Sequence, residues 1–288
     1  MKISNRSNIE SFIVMDVMEQ ARLEEESGRN IVHMEVGQPG TPAPKRAIKE
    51  LSNKMKSEPL GYTVALGLPI LRQKISSLYK KWYNLELNPD RVVVTSGSSG
   101  AFLLAFTSLF DKGSRVGIGA PGYPSYRQIL KALEIDPVVI QTTPEEKFQI
   151  TSNSIFGRKL DGVLVASPAN PTGSMLSYDT LKSLIEKCNN DEINFISDEI
   201  YHGVEYKEKA VSALQITDDC YVINSFSKYF SMTGWRIGWM VVPESHVRQV
   251  ERLAQNMFIC APHASQIAAV GALESFSEME ENLEVYRI

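Results

Sequence analysis

The order of apolar and polar positions predicts a helical start, a middle of alternating strands and helices, and a helical end. Apolar residues recur at helical spacing from about Ile9 to Glu26, and this pattern stops near Gly28. The next segment, IVHMEV (31–36), predicts a short strand. Further helical patterns cover residues 45–56, 68–84 and 244–276, and we expect the last of these to break near Pro262.

Short apolar runs alternate with helical patterns from residue 91 onward. Strands that are buried on both faces have continuous apolar runs, and alternation with helices indicates a mostly parallel sheet. The middle of the chain therefore predicts an α/β fold. The runs are RVVVTS (91–96), SRVGIGA (114–120), DPVVIQT (136–142), GVLVAS (162–167), INFIS (193–197), CYVINS (220–225) and IGWMVV (237–242), with helical patterns at about 99–111, 124–134 and 178–189.

Composition excludes several classes of function. The chain has 288 residues and a formal charge of −4, so it lacks the basic surface typical of nucleic-acid binding. Its first ten residues lack the apolar core of a secretion signal, and the apolar segment 101–110 is too short to span a bilayer. Three scattered cysteines favour a reducing compartment, and four dispersed histidines give no metal site. We expect a cytoplasmic protein with no membrane or nucleic-acid partner.

Small, polar and charged residues follow five of the predicted strands. Ligands of mostly parallel sheets bind beyond the carboxyl ends of the strands, so these residues are the candidate site. The segments are GSSGA (97–101), PGYPSY (121–126), PANPTG (168–173), DEIY (198–201) and SFSK (225–228).

Lys228 is the candidate reactive group. A lysine is usually an exposed amine with a pKa of about 10.4. Lys228 follows a strand that should be buried, and burial would lower its pKa and free the amine for Schiff-base chemistry. Arg236 offers a planar fork for a phosphate, and Ser225 and Ser227 offer hydroxyl donors.

The remaining strand ends have an ordinary interpretation and a functional one. The GSSGA segment alone favours a tight turn with a serine cap, although a helix start also attracts anions. Asp198 is commonly a cap, Asn170 a turn residue and Tyr123 a core residue. In a site, Asp198 would hold a ring-nitrogen proton, Asn170 and Tyr201 would donate to a phenolate oxygen, and Tyr123 would stack on a ring. Together these groups specify pyridoxal phosphate.

The chain resembles the fold type I PLP-dependent aminotransferases of class I/II over essentially its whole length. The resemblance implies a three-layer α/β/α large domain at residues 31–276, with residues 1–30 as an N-terminal helical arm that forms part of a small domain. Family members bind the substrate carboxylate with an arginine of a C-terminal small-domain segment that we do not find, so we expect residues 277–288 to begin an interdomain helix and the small domain to be incomplete. The motifs are SPANPTG (167–173), SDEIY (197–201) and SFSKYFSMTGWRIGW (225–239), supported by GYTVALGLPILR (61–72), TSGSSGA (95–101) and PGYPSY (121–126).

The resemblance also implies a role for each matching residue. Lys228 would form the Schiff base with the cofactor, Asp198 would pair with its ring nitrogen, and Tyr62 would reach the phosphate of a neighbouring subunit in a homodimer. The other implied cofactor contacts are Asn170 and Tyr201 at the phenolic oxygen, Tyr123 on the ring, and Gly97, Ser98, Ser99, Ser225, Ser227 and Arg236 at the phosphate, while Gly37 and Asn170 would line the substrate pocket.

The implied reaction moves an amino group from an L-amino acid to a 2-oxo acid, with Lys228 as the Schiff-base residue and general base. Two alternatives remain open. The same scaffold supports other PLP chemistry, such as a C–S lyase or a synthase, and a shortened chain could be a non-catalytic PLP-binding remnant.

Overall fold

The computed structural model describes residues 1–287, which form helices on both sides of one sheet. Phe12 has an extended backbone, so the first helix begins at Ile13 rather than near Ile9. The helices are α1 (Ile13–Glu26), α2 (Lys45–Ser57), α3 (Pro69–Tyr83), α4 (Gly97–Leu109), α5 (Pro124–Ala132), α6 (Tyr178–Asn190), α7 (Val247–Met257), α8 (His263–Ala272) and α9 (Phe276–Tyr286). The strands are β1 (Val92–Thr95), β2 (Arg115–Ala120), β3 (Asp136–Gln141), β4 (Gly162–Ala166), β5 (Asn194–Asp198), β6 (Tyr221–Ser225) and β7 (Gly238–Val241).

The seven strands form one sheet in the order β1-β7-β6-β5-β4-β2-β3. The pairs β2–β3, β2–β4, β4–β5 and β5–β6 are parallel, while β7 runs antiparallel to both β1 and β6. Gly238, at the start of β7, therefore lies opposite Thr95 and Ser225, which end their strands. The predicted mostly parallel mixed sheet is confirmed, and its carboxyl edge collects the strand ends.

Apolar side chains cover both faces of the sheet. Trp239 and Met240 are neighbours on β7 and fully buried, but they belong to two different apolar clusters because successive side chains of a strand point to opposite faces. Trp239 packs in the cluster that contains Leu71 of α3 and Leu184 of α6. Met240 packs in the cluster with Phe102 of α4, which confirms the three-layer arrangement.

Two sequence predictions about elements were wrong or incomplete. Residues 31–36 form no strand in the described part of the chain, and Val32 and Met34 are 80% and 89% exposed. Their alternation lacks a neighbouring strand to pair with, and an unpaired segment has no ladder. The long C-terminal helix breaks near Pro262 as expected, but it breaks again before α9, where Ser275 Oγ donates to Gly271 O at 3.0 Å.

None of the described helices is long and apolar enough to cross a membrane. The helix expected at the end of the chain is α9, although Ile288 lies outside the described residues. The division into segments 1–30, 31–276 and 277–288 stays a prediction.

Candidate functional site

Lys228 lies three residues beyond β6, at the carboxyl edge of the sheet. Its half-buried Nζ donates a hydrogen bond to Gly37 O at 2.8 Å and lies 5.6 Å from the centroid of the Tyr201 ring. Burial lowers the pKa of Lys228; the carboxylate of Asp198 opposes this shift and Arg236 adds to it. The structure thus brings together the predicted lysine, the predicted pocket glycine and one of the predicted tyrosines.

Asp198 ends β5 as a buried hydrogen-bond acceptor, with 3% of its surface exposed. Tyr126 Oη donates to its Oδ2, and Ile200 N donates to Oδ1 at 3.1 Å. Burial raises the pKa of Asp198 to about 6, which the two hydrogen bonds oppose. Both oxygens already accept hydrogen bonds, but among residues 1–287 no cation forms an ion pair with this carboxylate, so a cationic ring nitrogen would be its charged partner.

Tyr126 was not predicted. It stands three residues after Tyr123 at the start of α5, and this helical spacing places both side chains on the same side of the helix. The two rings pack edge to face, with centroids 5.2 Å apart. The spacing was the available signal, but only the fold shows that Tyr126 reaches Asp198.

Asn170, Tyr201 and Tyr123 surround the same edge. Burial raises the pKa of Tyr201 to about 12, with the Asp198 charge adding to the shift and the Asn170 amide opposing it, so its hydroxyl stays a donor at neutral pH. The Tyr123 ring also meets Phe12 edge-on at 5.7 Å. Phe12 brings an apolar ring from the N-terminal segment to this edge, a contact that sequence reasoning missed.

Gly97 and Arg236 form a close contact at the start of α4. Gly97 has φ +69°, and a Cβ built on it would lie 2.3 Å from Arg236 Nη2, so a larger residue would displace the guanidinium from this position. Arg236 itself has φ 51° and donates through Nη1 to Thr233 O at 3.0 Å. Gly238 also packs closely, since a Cβ there would lie 2.8 Å from Asn224 O and 3.0 Å from Ser98 N. An arginine beside the first amides of a helix is suited to an anion.

The two serines predicted for the phosphate are both buried. Ser225 Oγ lies 2.8 Å from Ser227 Oγ and 3.1 Å from Ile237 O, and it accepts from Ser227 N at 3.0 Å. Ser225 thus ties the segment that carries Lys228 to the segment that carries Arg236. Ser98 and Ser99 lie in the first turn of α4, and Ser99 is exposed.

Tyr62 lies apart from the other predicted residues. Its side chain is 83% exposed on the segment that joins α2 to α3. The structure therefore assembles Lys228, Asp198, Tyr201, Gly37 and the Gly97–Arg236 contact, and leaves Tyr62 pointing outward.

A buried polar cluster behind the site was also missed. Glu199 is fully buried, and its Oε2 has no hydrogen-bond partner within residues 1–287. His202 Nε2 donates to Ser167 O at 2.8 Å, at the start of the loop that carries Asn170. Burial raises the pKa of Glu199 to about 7 and lowers that of His202 to about 4. The donors to Glu199 Oε1 are Ser197 Oγ at 3.1 Å, Ser212 Oγ at 3.1 Å and Ala213 N at 2.8 Å.

These groups fit pyridoxal phosphate. The buried Asp198 suits a protonated ring nitrogen, the Tyr201 hydroxyl suits a phenolate oxygen, and the Gly97–Arg236 contact suits a phosphate. Lys228 supplies an amine of lowered pKa between them.

Comparison with known proteins identifies relatives along nearly the whole chain. Residues 29–288 match the family model for aminotransferase class I and II. A valine–pyruvate aminotransferase of Mycobacterium tuberculosis is 41% identical over 100% of this chain and 76% of its own length. A solved aminotransferase structure from the same organism has a TM-score of 0.95 at 40% identity, covering 99% of this chain and 76% of that one. A solved protein of Silicibacter pomeroyi has a TM-score of 0.92 at 60% identity, covering 99% and 75%.

Proposed function

The chain belongs to the aminotransferase class I and II family and is a pyridoxal-phosphate-dependent aminotransferase, and we propose that Lys228 is its cofactor anchor and proton-transferring base. One observation carries this proposal. Lys228 Nζ lies at the carboxyl edge of the sheet, 2.8 Å from Gly37 O, in surroundings that lower its pKa. An amine that releases its proton readily can take one from a substrate and return it.

The other side chains would bind and orient the cofactor. When bound, pyridoxal phosphate supplies an aldehyde and an electron-withdrawing ring that stabilises negative charge at the substrate α-carbon. Asp198 would accept a hydrogen bond from the protonated ring nitrogen, and Asn170 and Tyr201 would donate to the phenolic oxygen. Tyr123 would cover one ring face. The phosphate ligands would be Arg236, Ser225, Ser227 and the start of α4 at Gly97, Ser98 and Ser99.

We further propose an apolar L-amino acid as donor and pyruvate as acceptor. The name of the 41% identical relative supports valine and pyruvate as this pair. The contact between the Phe12 and Tyr123 rings supports an apolar substrate side chain, because it offers apolar surface beside the residue proposed to cover the cofactor ring.

A homodimer in the cytoplasm completes the proposal. The exposed Tyr62 would reach the phosphate in the site of a second copy of the chain. Three free cysteines, two of them buried, support a reducing compartment.

The test compares the parent protein with Lys228→Ala, a truncation that removes the amine. The parent with pyridoxal phosphate should show the absorbance of lysine-bound cofactor and should convert valine and pyruvate into alanine and the oxo acid of valine. Lys228→Ala should lose this absorbance and at least about a thousandfold of the rate, since both depend on one amine.

Aspartate is the matched donor control, because it differs from valine in carrying a side-chain carboxylate. We expect a lower kcat/KM for aspartate than for valine at equal pyruvate. An unchanged spectrum in Lys228→Ala contradicts the anchor, and a preference for aspartate contradicts the apolar substrate. Release of ammonia without alanine would indicate a lyase.

A further inference from the structure

The segment that carries Tyr62 lies tightly against the edge strand β1. Leu66 O accepts a hydrogen bond from Val94 N at 3.0 Å. Gly67 has φ +95°, and a Cβ built on it would lie 2.5 Å from the side chain of Val94. Backbone contact this close requires glycine, so the path of segment 61–68 is fixed at this point.

Gln266 of α8 fixes the same segment from the other side. It is fully buried, with 0% of its surface exposed. Its Oε1 accepts from Leu68 N at 2.7 Å, and its Nε2 donates to Thr63 Oγ1 at 3.0 Å and to Ala261 O at 2.9 Å. Because a backbone N–H only donates and a carbonyl only accepts, these partners determine the orientation of the amide. Rotation of the amide would leave buried polar groups unpaired.

Tyr62 directly precedes Thr63, at the N-terminal end of this fixed stretch, and its side chain is exposed. The Tyr62 ring is 83% exposed, and Val64 is 58% exposed. Tyr62 lines an open cavity of about 440 Å³ together with Ser96, which directly precedes Gly97. A rigid backbone that presents an exposed tyrosine is typical of a protein interface, where such rings are enriched.

We propose that Gln266 is a positioning residue, which fixes segment 61–68 so that the Tyr62 hydroxyl reaches the active site of a second copy of the chain. Gln266 contacts no cofactor or substrate itself and acts on the neighbouring site through Thr63 and Leu68. The inference rests on the homodimer proposed above. Positioning matters because a hydrogen bond to a phosphate weakens steeply when its donor moves out of line.

The test uses Gln266→Leu, which keeps the approximate size of the side chain but removes its three hydrogen bonds. Two hybrid dimers, isolated with two affinity tags, each contain one subunit with Lys228→Ala, so each has one site that can bind cofactor through Lys228. In the trans hybrid, Gln266→Leu lies in the Lys228→Ala subunit, and the altered segment serves the intact site. In the cis hybrid, Gln266→Leu lies in the subunit with the intact site, which the unaltered segment serves.

The measured quantity is the Kd for pyridoxal phosphate. It is determined by titration, with the absorbance that requires Lys228 as the signal. We expect the Kd to rise about tenfold in the trans hybrid, as for loss of one charge-assisted hydrogen bond. In the cis hybrid it should stay within about twofold of the value for a hybrid without Gln266→Leu. Equal Kd values in the two hybrids would overturn the inference.

Two further hybrid pairs separate the possible causes. Leu184→Ala removes a fully buried side chain from α6. It should change the Kd equally in both hybrids, because it destabilises the fold without moving Tyr62. Tyr62→Phe tests the shared site itself and should weaken binding only in trans. If Tyr62→Phe acts in trans and Gln266→Leu does not, the role of Gln266 is wrong while the shared site stands. A chain that forms no dimer overturns both.

Discussion

Burial and hydrogen bonding have opposite effects on the ionisation of Asp198. Its burial favours the protonated carboxyl and raises its pKa to about 6, whereas the Tyr126 hydroxyl and the Ile200 N–H favour the carboxylate. Tyr126 is itself buried, and burial together with the nearby carboxylate raises its pKa well above the usual value, so it remains a donor. A hydrogen bond from α5 therefore contributes to keeping Asp198 ionised near neutral pH.

Tyr126→Phe should move the acid limb of the kcat/KM profile to higher pH. The phenyl ring keeps the packing on Phe102, whose centroid lies 5.0 Å away, but the lost donor raises the pKa of Asp198 further. We expect a loss of about tenfold in kcat/KM at pH 7, since hydrogen bonds to charged groups contribute about 1.5–3 kcal/mol.

Tyr221→Phe is the matched control for Tyr126→Phe. It removes a hydroxyl that lies 3.1 Å from His246 Nδ1 and 3.3 Å from Ser108 Oγ, away from Asp198. Its pH profile should overlay that of the parent. An acid limb that does not move in Tyr126→Phe would show that Asp198 is held ionised by other groups.

The candidate site was predictable where strand ends meet and hidden where helices contribute. Lys228 and Asp198 follow apolar strands, so the chain itself indicates that they share one edge. Tyr126 and Phe12 reach this edge from a helix and from the N-terminal segment, and no spacing in the sequence specifies which strand end they meet. Only the tertiary structure shows that Tyr126 is the hydrogen-bond partner of Asp198.

The start of α4 shows how the sheet brings an arginine to the first turn of a helix. Its first residue, Gly97, has a positive φ and contacts the Arg236 guanidinium, which arrives from the segment before β7. The antiparallel β7 is what returns the chain to this point, because Gly238 lies between Thr95 and Ser225 in the sheet register. The site therefore depends on sheet order as well as on residue type.

Gly97→Ala should weaken pyridoxal phosphate binding by at least about tenfold. The added methyl group displaces the guanidinium, and a residue with a Cβ at positive φ costs about 1–2 kcal/mol of stability. Gly113→Ala is the matched control, because Gly113 also has a positive φ, 84°, but open space where its Cβ would stand. It should lose comparable stability in thermal melts and keep the parent Kd. Equal Kd values for both variants would show that Arg236 is not the phosphate ligand.

The sequence indicates the packing of some secondary-structure elements but not of others. β1 and β4 are continuous apolar runs, and this composition predicts that both of their faces are buried. Residues 31–36 alternate like a strand, yet they pair with no strand within residues 1–287, and Val32 and Met34 are exposed. Alternation predicts a face to be covered, whereas pairing needs a neighbour that local sequence does not specify.

Across the whole molecule, a buried polar cluster links elements on one side of the sheet. Glu199 follows β5 and accepts from Ala213 N, while His202 donates to Ser167 O beyond β4 and accepts from the Tyr83 hydroxyl at the end of α3. The His202 tautomer follows from this arrangement, since the carbonyl of Ser167 can only accept. The cluster holds the loops of Asp198 and Asn170 together, at the cost of burying a carboxyl group.

That cost makes the stability of the molecule depend on pH through Glu199. Burial raises its pKa from an ordinary 4.5 to about 7 in the folded chain. Its contribution to stability is therefore complete below pH 4.5 and is lost as pH rises to about 7, at up to about 1.4 kcal/mol per pH unit. His202 has the opposite effect on the pH dependence of stability. Burial lowers its pKa to about 4, so its contribution to the free energy of unfolding is lost as pH falls.

Glu199→Gln isolates the first of these effects, since the amide keeps the Oε1 acceptor and cannot ionise. The unfolding free energy of the variant minus that of the parent should increase as pH rises from 4.5 to 7 and then stay constant, because His202 is common to both proteins. Urea unfolding at half-unit pH intervals measures this difference, and the plateau above pH 7 serves as the internal control. A difference that is flat from pH 4.5 upward would mean that Glu199 is ionised throughout, with its Oε2 satisfied by a proton donor such as bound water. In that case the cluster would be held by charge, and Glu199→Gln should then loosen the loop of Asn170 and weaken cofactor binding at every pH.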